Sequence, residues 1–433
     1  MPVPLLLVHF AIRQILANSR RNEKIRFLCM NFHGISGGPS YINNKSRWLE
    51  SNGWKTYGFC GYLYGTGEVV YQGLRELNKS LIEEFTFYPS WFSAKQREKV
   101  MDVVKNKIEY EEDDEIIIES NSIVLAEWGE ILGSFLKAKH IVYLIAENLK
   151  ISDFETFDFL SFKYKRNELF TISEKAAKNL FANFVDLEDA GSHFWDAMSS
   201  TNAVPIKTKV FDDLPEHDWL ITHFGRYKNY FNNLIPEIVS FAKNNQSKKI
   251  VFCIVGDHYN RKEVISCFEN LENLVVVFFD PMVPIPQKLF DISDVVISTA
   301  GCACISFRAG AKTISMDVDN NIPLGVLGYT TREHTFKNSE ESNTESLEEL
   351  LTQVLSENRF QSKPTMELNI DSRKFGYEYH ISFVHNNDYT YYQGQLPSKA
   401  VGKQQQLDHF LVKKLGLVKI AVLIHIINHF RKK

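Results

Sequence analysis

The sequence predicts an α/β protein built from two doubly wound domains in succession, each with a mainly parallel sheet. Three observations favour this fold class. Short apolar runs rich in β-branched residues alternate with segments of helical composition, as in parallel sheets covered by helices on both faces. The alternation breaks between Ser199 and His217, where Pro205 and Pro215 interrupt it, and then resumes. The chain of 433 residues is long enough for two cores.

The first series of elements follows a surface helix predicted for residues 1–24. Strands are predicted at residues 25–30, 54–60, 115–120, 141–146 and 169–172. Helices are predicted around Trp48 and Leu49, at residues 94–108 and 122–137, and after Ser173 and Glu174. The glycine-rich stretch NFHGISGGPS, residues 31–40, is predicted to be a tight turn between the first strand and the first helix. Residues 61–90 show no clear period and are predicted to form loops and short elements.

The second series repeats the alternation. Strands are predicted at residues 219–224, 249–255, 274–279, 295–297 and 313–315. Helices are predicted at residues 232–243, 261–269, 287–292, 302–309 and 346–355. We therefore divide the chain into a first domain of residues 1–204, a second domain of residues 205–370 and an extension of residues 371–433. A cleft between the two domains is the expected ligand site.

The turn at Ser298–Gly301 is the candidate anion site of the second domain. It follows the apolar strand at 295–297 and precedes the helix that begins near Cys302. Small side chains such as Ser298, Thr299 and Gly301 let a ligand approach the backbone. The first amides of a helix have no intrahelical partner, so they can bind an anionic group such as a diphosphate. Open parallel sheets bind their ligands at this end of the strands.

Composition excludes several classes of function. The formal charge of −4 gives no reason to expect nucleic-acid binding, and 44% hydrophobic with 24% charged residues is typical of a soluble globular protein. The six cysteines are scattered, which indicates reduced thiols, and Cys302 and Cys304 lack a second ligand pair at zinc spacing. No segment has the length of a membrane-spanning helix, and the first 24 residues lack the features of a signal peptide.

Four motifs together resemble a known family. They are the NFHGISGGPS turn, THFGRYKN after the predicted start of the second domain, IVGD at Ile254–Asp257, and the STAG turn at Ser298–Gly301. In order and spacing they resemble the two-domain GT-B glycosyltransferases that build capsular and other bacterial surface polysaccharides. The resemblance covers about residues 24–335. It implies two Rossmann-like domains, a nucleotide-sugar donor held by the second and an acceptor held mainly by the first.

The resemblance also implies which residues bind the donor. Arg226 matches a family arginine that can contact diphosphate oxygens with two parallel hydrogen bonds, and Lys228 comes sooner than the usual family lysine. The full set that it implies is Gly37, Gly38, Gly225, Arg226, Lys228, Gly256, Asp257, Ser298, Thr299, Gly301 and Cys302. One departure stands out. Many members carry a pair of glutamates around the last helix, whereas CACISFRAGAK contains no carboxylate, and Arg308 is the only charged residue within that helix.

Three residues are candidates for the base that takes the acceptor proton if the anomeric centre is inverted. In order of preference they are Glu147, Glu119 and His33: the two glutamates end predicted strands of the first domain, and the histidine lies in the glycine-rich turn. Each is also compatible with a structural role, and a retaining reaction needs no such base. The leaving diphosphate would be stabilised by Arg226 and the helix amides, so no metal or other cofactor is expected.

The carboxyl terminus joins apolar to basic residues in HFLVKKLGLVKIAVLIHIINHFRKK, residues 409–433. Lys413, Lys414, Lys419 and the final Arg-Lys-Lys would suit the interface of an anionic membrane, and a helix packed on the first domain is the alternative. We expect a cytoplasmic enzyme with a peripheral contact to the inner face of the plasma membrane and a lipid-linked oligosaccharide as acceptor. A nucleotide-sugar 2-epimerase and a non-catalytic nucleotide-sugar-binding protein are the other functions that the residues leave open.

Overall fold

The architecture comes from a computed structural model. It describes residues 26–30, 37–61, 79–111, 113–146, 149–185, 193, 202–225, 230–256, 260–282, 285–335, 345–366, 377, 381 and 387–397.

The first sheet contains six parallel strands in the order β3-β2-β1-β4-β5-β6. Its strands are β1 (Arg26–Met30), β2 (Lys55–Cys60), β3 (Lys79–Leu81), β4 (Ile116–Ser120), β5 (Lys139–Leu144) and β6 (Leu169–Thr171). The helices between them are α1 (Gly37–Ser51), α2 (Ala94–Lys105), α3 (Ile123–Leu136), α4 (Phe154–Lys165) and α5 (Glu174–Phe181). Two 3-10 turns, Glu83–Thr86 and Pro89–Trp91, lead from β3 into α2. The strand order places β1 and β4 at the centre of the sheet.

The second sheet has six strands in the order β12-β11-β10-β7-β8-β9, and only β12 runs antiparallel. Its strands are β7 (Trp219–Phe224), β8 (Ile250–Val255), β9 (Leu274–Phe279), β10 (Val295–Ser298), β11 (Thr313–Met316) and β12 (Pro323–Val326). The helices are α6 (Tyr230–Asn244), α7 (Arg261–Ser266), α8 (Gln287–Ile292), α9 (Ala300–Arg308) and α10 (Leu347–Leu351), which continues as a π turn over Thr352–Ser356. Strand β12 contains a proline and lies at the sheet edge, where proline removes no ladder bond that the sheet needs.

The helices of the first domain begin at capping residues that the sequence shows clearly. The side chains of Ser93, Ser122, Asp153 and Ser173 each accept a hydrogen bond from the backbone N–H three residues later. Such a cap contributes about 1 kcal/mol to helix stability. The apolar faces then pack on the sheet. For example, Trp128 of α3 is fully buried, and its indole N–H donates to the carbonyl of Phe87 at 2.7 Å.

The predicted fold class is confirmed, and most predicted elements lie within three residues of the observed ones. One strand was predicted two residues too late: β5 begins at Lys139, not at residue 141. Its first two residues are polar, which hid the start of the strand from the sequence pattern. Both are paired within the fold: Lys139 binds Glu115 at 2.8 Å, and His140 lies 2.8 Å from Glu130. Two elements were missed. Helix α4 is rich in phenylalanine, which favours strands, and β12 contains Pro323 and Gly325.

The extension returns to the first domain. Tyr377 and Ile381 pack against the cluster around Tyr41 and Tyr143. Residues 387–397, which we call the strap, bind along α3 and α4. Within it, Asp388 accepts a hydrogen bond from Arg166 at 2.6 Å, and the Tyr392 hydroxyl donates to Asp158 at 2.6 Å. The predicted helices at 1–24 and within 409–433 lie outside the described residues.

Candidate functional site

The predicted donor residues of the second domain that the structure describes converge at one edge of the second sheet. Gly225, Gly256 and Ser298 stand at the carboxyl ends of β7, β8 and β10, which are neighbours in the sheet. The N–H of Gly225 donates to Val255 at 3.0 Å, and the Ser298 hydroxyl donates to the carbonyl of Phe224 at 2.6 Å. Separate motifs in the sequence therefore meet at the place where an open parallel sheet binds its ligand.

Gly225 lies close to the helix that follows β10. Its φ is +147°, a conformation that favours glycine, and a Cβ atom at this position would stand 3.9 Å from Cys302 Sγ. The absence of a side chain at residue 225 thus keeps the space beside the first turn of α9 open. The backbone of this glycine-containing loop and the first turn of α9 can contact the same ligand.

The turn itself differs in one respect from the prediction. Helix α9 begins at Ala300, two residues earlier than predicted, and Ala300 has a φ of +51° that is unusual for alanine. The Ala300 N–H donates to the carbonyl of His334, and the Thr299 hydroxyl donates to Met316 O at 2.7 Å. The Ala300 amide therefore has a partner within the protein and is not free to bind a ligand. Gly301 supplies a first-turn amide without an intrahelical acceptor.

The segment at His334 is a component of this edge that the sequence did not reveal. Besides the bond to Ala300, Val318 N–H donates to the carbonyl of Thr335 at 3.0 Å, so the segment crosses the ends of β10 and β11. No motif marks it in the sequence, because its role depends on backbone carbonyls. Arg308 points elsewhere, since its guanidinium donates to Asn202 at 3.1 Å on an exposed surface.

Several candidate residues fall where the structure gives no description. Arg226, Lys228, Asp257, Glu147 and His33 all lie outside the described residues. Gly37 and Gly38 are placed within helix α1, where the glycine-rich turn had been predicted to continue to residue 40. Their roles in donor binding and catalysis stay predictions.

Glu119 is described, and it is not open to a ligand. It is fully buried at the penultimate position of β4. Its Oε2 atom accepts hydrogen bonds from the Lys45 ammonium and from the Tyr41 hydroxyl at 3.2 Å, and Asn121 donates to Oε1 at 3.2 Å. These contacts tie α1 to the centre of the first sheet, which is a structural role for the carboxylate.

A second buried charge network lies between α3, α4, β5 and β6. Glu130 binds the ammonium of Lys163 and lies 2.8 Å from His140, and Lys163 also binds Glu168 at 2.9 Å. Burial alone would raise the pKa of Glu130, but Lys163 and His140 outweigh burial and lower that pKa to about 2. Burial and the nearby Lys163 lower the pKa of His140, so the imidazole is neutral at pH 7.

Glu127, one turn before Glu130 on α3, has no such partner. Both of its oxygens are buried without a hydrogen bond from any described residue. Burial, with a further contribution from the Asp153 carboxylate, raises the pKa of Glu127 well above its ordinary value of 4.5. Burial together with Glu127 and Asp153 also raises the pKa of Tyr88 to about 12. The first domain thus holds two buried glutamates of opposite character three residues apart.

The carboxyl edges of the two sheets meet at an ion pair. Lys175, near the start of α5, follows β6, and Asp319 lies in the turn that follows β11. Their Nζ and Oδ2 atoms are 2.8 Å apart. The turn is fixed by Asp317, whose Oδ1 accepts from the N–H groups of Asp319 and Asn320 at 2.7 and 2.8 Å. The candidate donor edge therefore faces the first domain.

The described ranges contain neither a cluster of metal ligands nor a membrane-spanning helix. No group of three or more His, Cys, Asp or Glu residues there is arranged to hold a metal ion. None of the helices described is long and apolar enough to span a membrane.

Comparisons with known proteins identify the fold. No protein-family model matches the sequence, and no curated protein does. Among solved structures, HepE from Anabaena, crystallised with UDP and glucose, is similar over 83% of this chain and 97% of its own, with 12% identity and a TM-score of 0.52. A glycosyltransferase from Rickettsia africae is similar over 83% of this chain and 94% of its own, with 15% identity and a TM-score of 0.54. With the two doubly wound sheets described above, this likeness shows that the chain has the GT-B fold.

Proposed function

We propose that the protein is a glycosyltransferase that moves a hexosyl group from a nucleotide-diphosphate sugar to an oligosaccharide acceptor. The observation that carries the proposal is the convergence of Gly225, Gly256 and the Ser298–Cys302 turn at one strand edge that faces the first domain. HepE, which shares the fold, has been crystallised with UDP and with UDP-glucose. A uridine diphosphate sugar is accordingly the donor to test first.

The chemistry requires stabilisation of the charge that develops on the leaving diphosphate. We assign this to the first-turn amide of Gly301 and to the guanidinium of Arg226, without a metal. The positive end of the α9 dipole adds to the stabilisation, since the helix N-terminus points towards the carboxyl edge of the sheet. Lys228 and Asp257 are proposed to contribute further contacts to the donor.

For an inverting reaction a base must reach the acceptor hydroxyl, and we keep Glu147 as the first candidate and His33 as the second. Glu119 takes the last place, because Lys45, Tyr41 and Asn121 occupy its oxygens. The acceptor is proposed to be lipid-linked and to belong to surface polysaccharide synthesis at the cytoplasmic face of the plasma membrane. Residues 409–433 are proposed to contact that membrane.

A non-catalytic nucleotide-sugar-binding protein is the second candidate function. The observation that favours it is the sequence of α9, AGCACISFR, which offers no carboxylate to the donor. An epimerase of the same fold would need several acid and base groups in the cleft and no acceptor. Transfer to an added acceptor separates the transferase from both alternatives.

The first test is binding of UDP and UDP-glucose, measured by calorimetry after a thermal-shift screen that includes GDP and CMP sugars. Gly301→Asp places a carboxylate in the first turn of α9, where it suits the helix dipole but repels a diphosphate. We expect UDP affinity to fall at least about tenfold, as for loss of a charge-assisted hydrogen bond. Ala94→Asp, which places the same group in the first turn of α2 in the first domain, is the matched control. Equal UDP affinity in G301D and the wild type would show that the diphosphate does not bind at this turn.

A further inference from the structure

Glu127 is a buried carboxyl group on the side of helix α3 that faces away from the first sheet. Gly129 of the same helix faces the sheet, because a Cβ atom at this position would overlap with the side chains of Ser120 and His140. Two residues correspond to a rotation of about 200° round an α-helix, so Glu127 lies nearly opposite. The sheet therefore does not cover Glu127, and its complete burial requires other parts of the chain to lie over the outer side of α3.

The turn at residues 87–91 lies over this side of α3. The indole N–H of Trp128, the residue after Glu127, donates to the carbonyl of Phe87 at 2.7 Å. Besides burial, the charge of Glu127 raises the pKa of Tyr88, so these two side chains are neighbours. The turn thus covers Glu127 from the side of helix α2.

The strap covers Glu127 from the side of helix α4. The Tyr392 N–H donates to Glu130, one turn further along α3, at 2.7 Å, and Leu396 packs against the apolar cluster between α3, α4 and β5. At the end of the strap, the Ser90 hydroxyl donates to the carbonyl of Pro397 at 2.7 Å. This hydrogen bond joins the strap to the turn, so the two segments close over the outer side of α3.

The covered carboxyl group has no counter-ion among the residues that the structure describes. Neither of its oxygens accepts a hydrogen bond from them. Lys163 of α4 binds Glu130 and Glu168, and Arg97 of α2 donates to backbone carbonyls of the turn. The start of α4 adds only negative charge, through Asp153, Glu155 and Asp158. An ionised Glu127 is therefore incompatible with the closed arrangement of strap and turn.

The protonation of Glu127 can change near neutral pH, whereas that of three neighbouring groups stays fixed. Burial raises the pKa of Glu127 well above 4.5. Burial also raises the pKa of Tyr88 to about 12 and raises that of Tyr392, so both hydroxyls keep their protons. The neighbours of Glu130 lower its pKa to about 2, so it stays ionised and keeps its bond to the strap.

We propose that Glu127 is a pH-sensitive clasp that fastens the carboxyl-terminal extension to the first domain. While its carboxyl group is protonated, the strap and the turn close over it. Loss of the proton favours hydration of the carboxylate, which requires the end of the strap, from Tyr392 to Pro397, to leave α3. The clasp is therefore closed at low pH. Between pH 4.5 and the pH at which the covered carboxyl group ionises, the ratio of open to closed molecules rises by up to about tenfold per pH unit.

The test is hydrogen exchange of the full chain between pH 5 and 8, measured by mass spectrometry and corrected for the intrinsic exchange rate at each pH. Peptides that cover residues 388–397 report the strap, and peptides that cover β5 report the core of the first domain. Protection of the strap in the wild type should fall about three- to tenfold per pH unit. The strap should also exchange at least about tenfold faster than β5, because it opens without unfolding of the sheet.

Two substitutions remove the ionisable group, and two controls keep it. Glu127→Gln and Glu127→Met should each make the protection of the strap independent of pH. Glu83→Gln, which changes an exposed glutamate in the neighbouring 3-10 turn, should keep the pH dependence. Ser90→Ala removes the bond to Pro397 and should lower protection about fivefold at every pH, with the same pH dependence. Protection of β5 shows that each variant is folded.

Three outcomes would overturn the clasp. Strap protection that does not change with pH in the wild type would show that Glu127 does not control the strap. A pH dependence that persists in both Glu127 variants would assign it to another group. Equal protection of the strap and β5 would show that Glu127 becomes hydrated only when the whole domain unfolds. None of these outcomes bears on UDP binding by the second domain.

Discussion

Glu127 offers a sharp test of the energetics of the first domain. The carboxyl group is buried in α3, neither oxygen has a hydrogen-bond partner among the described residues, and the Asp153 carboxylate is near. Replacement by glutamine keeps the size of the side chain and removes its ability to ionise. We therefore expect Glu127→Gln to stabilise the protein at neutral pH, although it removes a charged residue from the sequence.

The magnitude follows from proton linkage. The pKa of Glu127 is raised in the folded protein above 4.5, so between that pH and the raised pKa the folded state holds a proton that the unfolded state has released. Stability of the wild type then falls with rising pH by about 1.4 kcal/mol per pH unit. Over the interval from pH 4.5 to 7 the total is at most about 3.5 kcal/mol. For a domain of this size each kcal/mol raises the melting temperature by about 2–4 °C.

The assay is thermal unfolding of wild type and Glu127→Gln between pH 5 and 8. The gain of the variant should be small at pH 5 and should grow with pH. Glu130→Gln is the matched control on the same helix, and its effect has the opposite sign. The pKa of Glu130 is lowered to about 2, so its charge stabilises the fold above pH 4.5, and removing it leaves the buried Lys163 without that partner at a cost of about 3–5 kcal/mol. A constant difference between Glu127→Gln and wild type at all pH values would refute the linkage.

Three further predictions concern the site and the thiols. Lys175→Glu and Asp319→Lys each place like charges at the ion pair that joins the two sheet edges, so each should lower UDP affinity about two- to fivefold. The double variant, in which the charges are exchanged, should restore the affinity, and failure to restore it would exclude a direct pair. Ala300→Gly relieves a φ of +51° and should raise the free energy of unfolding by about 0.5–1 kcal/mol in urea, whereas a loss of stability would show that the alanine methyl packs usefully. Burial raises the pKa of Cys253 to about 12, so at pH 8 iodoacetamide should label the exposed Cys267 and spare Cys253 until the protein unfolds, as peptide mass spectrometry can verify.

The fold could be predicted from the sequence because local patterns agree with the tertiary structure in most elements. The fully buried strands β8 and β10 show uninterrupted apolar runs, as parallel strands covered on both faces require. Prediction failed where a partner that is distant in the sequence allows a polar residue to be buried. Lys139 and His140 look like the polar end of a loop, but Glu115 and Glu130 make them acceptable as the buried start of β5.

The candidate site could be predicted in part, for a related reason. Small residues after an apolar strand mark the turn at Ser298–Gly301, because glycine and serine are rarely needed there for packing alone. The contribution of the His334 carbonyl has no signature in the sequence, since every residue carries a backbone carbonyl. Likewise, nothing local shows that Lys45 lies on Glu119, because the two residues are 74 positions apart in the chain.

The burial of Glu119 argues against this residue as the catalytic base. A general base must lie within hydrogen-bond reach of the acceptor hydroxyl. Where the structure describes the first domain, the carboxylates of Glu119 and Glu130 are bound to Lys45 and Lys163 inside the fold, so both have structural partners. To act as a base, Glu119 would have to leave Lys45 buried without that contact, at a cost of about 3–5 kcal/mol for breaking a buried pair. Glu147 and His33 follow the ends of β5 and β1 by three residues each in the sequence, and they stay the predicted candidates for the base.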